Sequence, residues 1–170
     1  QGGYEIHIEN LKAGLDLYDH FFKIGNEFNL KPGAPNLIER IEGGLLSYGN
    51  DMDNNDNPYE CGFDKYVDID SKAIFLGKDK LKEIKRRGVD KKLMGVLIES
   101  DKINLTKEER LYDEKDNNVG KLRSAAFSPK FNKIVGIAMI NKAFWEMKEN
   151  FKINIEGNII SGKLTKLPIV

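Results

Sequence analysis

The spacing of hydrophobic positions along this chain divides it into stretches of different period. Tyr4, Ile6 and Ile8 alternate with Glu5, His7 and Glu9, the period-2 pattern of a β-strand with one face in a core. A strand entered at once, with no initiating Met, predicts that the chain is part of a longer one and that its first element pairs upstream. After Asn10, a good N-cap, Leu11, Leu15, Tyr18 and Phe22 recur on one helical face, which predicts a helix ending between Gly25 and Asn29. Two prolines and a glycine in Leu30-Lys31-Pro32-Gly33-Ala34-Pro35 exclude helix and central strand there. Asn36 then caps a shorter helix through Leu37, Ile38 and Ile41, and the polar run from Asn50 to Pro58 reads as a loop. A strand is expected at Tyr66 to Ile69. A helix from Lys78 to Arg87, closed by Gly88, turns Leu81 and Ile84 inward.

From Lys92 the character of the chain changes. Short runs at Leu93 to Ile98, Gly120 to Ser124, Ile134 to Ile140, Ile153 to Ile155 and Ile159 to Leu164 are separated by turn clusters such as Asp116-Asn117-Asn118 and Glu156-Gly157-Asn158. That spacing predicts a small antiparallel barrel or sandwich, interrupted by a short helix near Lys142 to Glu149, with Trp145 packed under it. The fold class is therefore α+β. A boundary near Gly88 to Lys91 gives two parts, 1–90 and 91–170.

At 170 residues with 40% hydrophobic content, the chain can bury a core. Its 27 basic residues balance 27 acidic ones, so no global charge draws it to nucleic acid or to an anionic membrane. The longest apolar run, Ile134 to Ile140, is too short to cross a bilayer, and no signal peptide is visible. A lone Cys61 excludes an internal disulfide framework and accords with a reducing compartment, the cytoplasm.

Most of the chemical signals are weak. Asp51, Asp53 and Asn55 open like a calcium loop, but Asp56 stands where glycine is needed and Gly62 where glutamate is needed. Gly77-Lys78 lacks the rest of a phosphate loop, and His7 and His20 have no second ligand at metal spacing. Cys61 has no evident base and reads as a small packed side chain. Glu5 is different, because position alone leaves two roles open. It is either a solvated surface carboxylate or, if its strand lines a cleft, a two-oxygen acceptor for an amidine-like or pterin-like N–H edge.

Several motifs occur in order: Gly3-Tyr4-Glu5-Ile6; Arg40-Ile41-Glu42-Gly43-Gly44-Leu45-Leu46-Ser47-Tyr48-Gly49-Asn50-Asp51-Met52-Asp53; Asn57-Pro58-Tyr59-Glu60-Cys61-Gly62-Phe63; and Phe75-Leu76-Gly77-Lys78 with Leu81. They resemble the folate-dependent aminomethyltransferase family of the glycine-cleavage T-protein. Val119 to Pro129 and the closing Lys166-Leu167-Pro168-Ile169-Val170 are similar to that family's small barrel domain. The opening Gln1 to Glu5 and the run Leu45 to Pro58 most resemble the branch of the family that demethylates dimethylsulfoniopropionate.

The resemblance implies that 1–90 is the C-terminal part of a folate-binding α+β region and that 91–170 is the barrel. It implies tetrahydrofolate as cofactor, dimethylsulfoniopropionate as small-molecule substrate, and the N-terminal half of the same protein as partner. Glu5 is implied as the carboxylate that takes the pterin ring, with Tyr48 either lining the cleft or packing in the core. T-proteins carry Gly-Ala-Arg-Asp where this chain has Gly33-Ala34-Pro35-Asn36, with one extra residue before Arg40. The absent arginine argues against glycine cleavage. Donor-binding residues are expected upstream, no catalytic residue is assigned, and the oligomeric state is left open.

Overall fold

In the computed structural model, residues 4–33, 36–105 and 107–169 are described. Two of the quoted stretches, Gln1-Gly2-Gly3 and Ala34-Pro35, lie outside the described residues, as does the closing Val170. The chain divides into two compact units, Gln1–Pro35 and Asn36–Val170.

In the first unit, α1 spans Leu11–Gly25, and the Asn10 side chain accepts the Ala13 N–H at 3.2 Å. That bond satisfies one of the donors a helix start leaves free. A 3-10 turn over Asn26–Phe28 follows, and Asn29 adopts a left-handed conformation (φ 55°) so that Leu30 N–H can return to the Gly25 carbonyl at 3.0 Å. A Cβ on Gly25 would sit 2.5 Å from Leu30 Cδ2, which is why this helix end needs glycine. The apolar face of α1 forms as expected, yet Leu11, Leu15, Tyr18 and Ile24 are exposed.

The opening strand is not formed. Residues 4–8 carry no ladder, and Tyr4 (98% exposed), Ile6 and Ile8 face solvent. Alternation marks two faces, but a strand exists only where a neighbour supplies hydrogen bonds. The strand expected at Tyr66 to Ile69 is also absent. A 3-10 turn spans Asp64–Tyr66, and Asp68 Oδ1 takes the N–H groups of Asp70 and Ser71, so those donors are diverted from any ladder.

The second unit carries a closed antiparallel barrel of six strands: β1 (Lys91–Ile98), β2 (Glu109–Tyr112), β3 (Asn118–Ser128), β4 (Lys133–Asn141), β5 (Phe151–Ile155) and β6 (Asn158–Thr165). Their spatial order is β1-β4-β3-β2-β5-β6, and β1 pairs with both β4 and β6 to close it. Val96, Leu111, Leu122, Ala138, Phe151 and Ile153 fill the interior, each with no exposure, while Trp145 packs against this cluster and donates from Nε1 to the Ile140 carbonyl at 3.0 Å. Each of these side chains larger than Ala138 contributes about 1.5–3 kcal/mol by burial. The short helix expected after β4 reduces to a 3-10 turn, Lys142–Phe144.

Strand β4 is buried along both faces, because its Val135 and Ile137 pack outside the barrel in a second cluster with Ile41 and Ile169. A strand covered on both sides reads as a continuous apolar run rather than as an alternation. Helix α2 (Leu37–Glu42) supplies Ile41, and Glu42 ties it down: its Oε1 accepts from Ser128 Oγ at 2.5 Å, and its carbonyl accepts the Ile169 N–H at 2.8 Å. Helix α3 (Lys78–Arg87) ends at Gly88 and buries Ile84. No helix among the described residues is long and apolar enough to cross a membrane.

Candidate functional site

The loop between α2 and α3 is rich in polar side chains, and two ionic groups hold it. At its start, Asn36 caps α2 by accepting the Glu39 N–H at 2.8 Å, which fixes Arg40 in the helix's last turn. The guanidinium then spreads over three acceptors. Nη1 donates to the Leu45 carbonyl at 2.9 Å and to Asp51 Oδ2, and Nη2 donates to Ser124 Oγ on β3 at 3.1 Å. The fully buried Asp51 takes a further bond from the Ser47 N–H at 2.7 Å, while its own N–H donates to the Ser47 carbonyl at 2.9 Å. Gly49, at φ 87°, donates to the Met52 carbonyl at 2.8 Å and closes the turn.

Tyr48 rides on this turn and is 65% exposed, so it is not a core residue. Its phenol donates to Asn54 Oδ1 at 2.7 Å.

The second ionic group is centred on Asp56, whose side chain has no solvent exposure. Oδ1 accepts from Lys91 Nζ at 2.6 Å; Oδ2 accepts the Asp53 N–H at 3.1 Å and faces Arg123 Nη2 at 3.4 Å. Arg123 sits where the β3–β4 register shifts, between Leu122 and Ser124, and also meets Glu108 at 2.8 Å. Burial alone pushes the Asp56 carboxyl up. The Lys91 hydrogen bond, the Asp53 N–H and the two cations outweigh it and hold the group below its ordinary value. Next to it, Cys61 is buried, and desolvation first, then the charges of Asp56 and Glu60, push its thiol up to about 11. A thiol so placed is a packed side chain, not a nucleophile.

Glu5 lies in the first unit and Tyr48 in the second. The Glu5 side chain is 92% exposed, with His7 Nε2 at 3.8 Å from its Oε2. Both carboxylate oxygens are therefore open to a ligand's N–H groups. His20 is exposed on α1, and Lys78 is engaged with the carbonyls of Ser71 and Ala73 at 2.5 and 2.8 Å. Among the described residues no group of three or more His, Cys, Asp or Glu side chains is arranged to hold a metal ion. A cleft of about 610 Å³ lies within the second unit, its walls including Leu46, Phe63, Tyr66, Leu93 and Leu167, with Lys65, Lys92 and Lys166 at its edge.

Sequence reasoning did not find the two ionic groups. Arg40 and Asp51 stand 11 positions apart and Arg40 and Ser124 stand 84 apart, and no local spacing signals such a contact.

Residues 91–170 match the model of the glycine cleavage T-protein C-terminal barrel domain, and residues 1–71 match the GCVT N-terminal domain. Among curated proteins, the dimethylsulfoniopropionate demethylase of Ruegeria pomeroyi is 36% identical over 145 residues, covering 85% of this chain and 39% of that protein. An aminomethyltransferase of a Thermoanaerobacter species is 31% identical over 159 residues, covering 91% of this chain and 42% of that one. The chain thus spans about two fifths of the length of the curated relatives it matches. Among solved structures, the glycine cleavage system aminomethyltransferase T from Bartonella henselae superposes with a TM-score of 0.68 at 23% identity, over 77% of this chain and 37% of that one, a likeness of fold.

Proposed function

The chain belongs to the glycine-cleavage T-protein family, and on that premise we propose that it is the C-terminal part of a tetrahydrofolate-dependent methyltransferase acting on dimethylsulfoniopropionate. The observation that carries the reading is Glu5, a carboxylate with both oxygens open on a segment whose apolar residues Tyr4, Ile6 and Ile8 are uncovered. An ionised carboxylate is a two-point acceptor, and a reduced pteridine offers adjacent N–H groups at that spacing. The exposed apolar face of α1 supports the same reading. Surface of that kind needs a partner, and the relatives have more than half their length outside the matched region, so the N-terminal half of the same protein is the occupant we assign.

Tetrahydrofolate held by Glu5 would supply N5 as methyl acceptor: the S–CH3 bond would break as N–CH3 forms, leaving a neutral thioether, with the N5 proton released to water. A sulfonium already carries a good leaving group, so the protein's task is to hold donor and acceptor in line and to exclude water. In this chain, Glu5 is the residue assigned to orient the pteridine through its N–H edge. The donor-binding residues are assigned to the upstream part.

The greater identity to the demethylase, 36% against 31%, favours the methyl donor. A second reading, transfer of an aminomethyl group from a lipoyl carrier protein, is supported by aminomethyltransferases aligned over 91–100% of the chain. One assay separates them. The full-length protein is given tetrahydrofolate with either dimethylsulfoniopropionate or an aminomethylated carrier, and 5-methyl is followed against 5,10-methylene product. Formation of 5-methyltetrahydrofolate from the sulfonium is expected. The methylene product with ammonia release selects the second reading, and folate binding without turnover of either donor makes the protein a binding module. Glu5→Gln is expected to lose both activity and folate affinity, and unchanged affinity removes Glu5 from the site.

A further inference from the structure

The loop from Ser71 to Lys78 carries the two most exposed apolar side chains of the second unit, Ile74 and Leu76, and neither has any cover. Both ends of the loop are tied. At its start Asp68 Oδ1 accepts the N–H groups of Asp70 and Ser71, and at its end Lys78 Nζ reaches back to the carbonyls of Ser71 and Ala73 at 2.5 and 2.8 Å. Gly77, left-handed at φ 85°, makes the turn into α3. Braced in this way, the loop holds Ile74 and Leu76 outward, where they line a hollow of about 660 Å³ shared with the first turn of α3. Apolar surface so presented calls for a partner.

The backbone and the charges say what kind of partner. Among the described residues, the N–H groups of Ala73, Ile74, Phe75 and Leu76 have no acceptor, and a lipid surface closing over them would leave those donors unmet. A polypeptide brings carbonyls. Around the loop Asp68, Asp70, Asp79 and Glu83 are interspersed with Lys72, Lys80 and Lys82, and Lys80 pairs with Glu83 at 2.8 Å, so the rim draws neither an anionic membrane nor a nucleic acid. A mixed polar rim around an apolar centre is the make-up of a protein interface. The relatives carry more than half their length outside the matched region, which supplies the polypeptide.

We propose that residues 73–76 are the docking face of the second unit for the upstream half of the same protein, which lays an extended apolar segment over Ile74 and Leu76 and offers its carbonyls to the free N–H groups. This docking role rests on the reading above that the chain is the C-terminal part of a longer protein. It is separate from the face of α1, which lies in the first unit.

The test is maleimide labelling of Ile74→Cys and Leu76→Cys, each made both in the full-length protein and in the 170-residue chain, with the same variant unfolded in urea as the rate reference. Cys61 is buried, so the wild-type protein gives the background. In the 170-residue chain both positions are expected to label close to the unfolded rate, and in the full-length protein about tenfold more slowly or less. Labelling of the full-length variants at the unfolded rate overturns the docking role. So does protection that disappears on dilution, which makes the occupant a second copy, or protection that appears only with anionic vesicles, which makes it a membrane. Should either full-length variant fail to fold, hydrogen exchange on the wild type decides: the amides of 73–76 are expected to exchange about tenfold more slowly in the full-length protein than in the 170-residue chain, and equal rates overturn the docking role. A full-length protein that protects both positions yet turns over neither methyl nor aminomethyl donor overturns the catalytic reading alone, whereas turnover with both positions freely labelled overturns the docking role alone.

Discussion

Asp56→Asn is the sharpest test of how the α2–α3 loop is held. The change keeps the side-chain shape and removes one negative charge from between Lys91 at 2.6 Å and Arg123 at 3.4 Å; the carboxylate is closed to solvent, while the Lys91 side chain is 31% exposed. Removing one partner of a buried ion pair costs about 3–5 kcal/mol, because the other charge stays behind uncompensated. Here Arg123 keeps Glu108 at 2.8 Å and Lys91 keeps Glu60 at 3.8 Å, which sets the expectation at the lower end, about 3 kcal/mol. For a chain of this size that corresponds to a fall in Tm of about 6–12 °C, read by circular dichroism at pH 7. The pH dependence adds a second constraint. The folded carboxyl lies below its ordinary value of 3.8, so the stability it confers is complete above that value and is lost as pH falls through the lower, folded one. The gap between wild type and variant should be steady from neutral pH down to the ordinary aspartate range and close below it. A loss under about 1 kcal/mol, the worth of an exposed pair, refutes the reasoning, as does a gap indifferent to acid.

Gly162→Ala is expected to cost about 1–3 kcal/mol by overpacking, measured as a lower urea midpoint, since the added Cβ would lie 2.4 Å from Phe151 Cζ and 2.8 Å from the Leu97 carbonyl. A midpoint equal to wild type would mean that the Phe151 ring moves aside freely. Cys61 should resist iodoacetamide at pH 8 while the protein is folded, because a thiol at about 11 is ionised to only about one part in a thousand there; labelling at the rate of a free thiol would contradict its burial.

Elements whose signals are local were legible in the sequence. Asn10 and Asn36 cap the helices they were expected to cap, Gly88 closes α3, and five of the six barrel strands appear in the short strand-like runs. Strand β2 was not legible: Glu109, Arg110, Leu111 and Tyr112 bury only Leu111 fully, and the segment is a strand because β3 and β5 flank it. The expected strand at 4–8 fails for the converse reason, having a pattern but no neighbour. At the candidate site the family motifs pointed to Glu5 and Tyr48, but what holds Tyr48 was hidden. Arg40, Asp51 and Ser124 meet only after α2 packs on β3, and pairing across such separations leaves no periodicity to read.

Because the barrel is closed by its first and last strands, its completion is tied to the order of synthesis. A ribosome releases β1 about 60 residues before β6, and at about 5–20 residues per second the nascent β1 waits some 3–12 s with one edge bare. During that interval the growing chain is a template for pairing with its neighbours on the same polysome. A stop between β1 and β6 would make the bare edge permanent, so truncations that remove β6 should yield sticky, insoluble products rather than slightly shortened soluble ones.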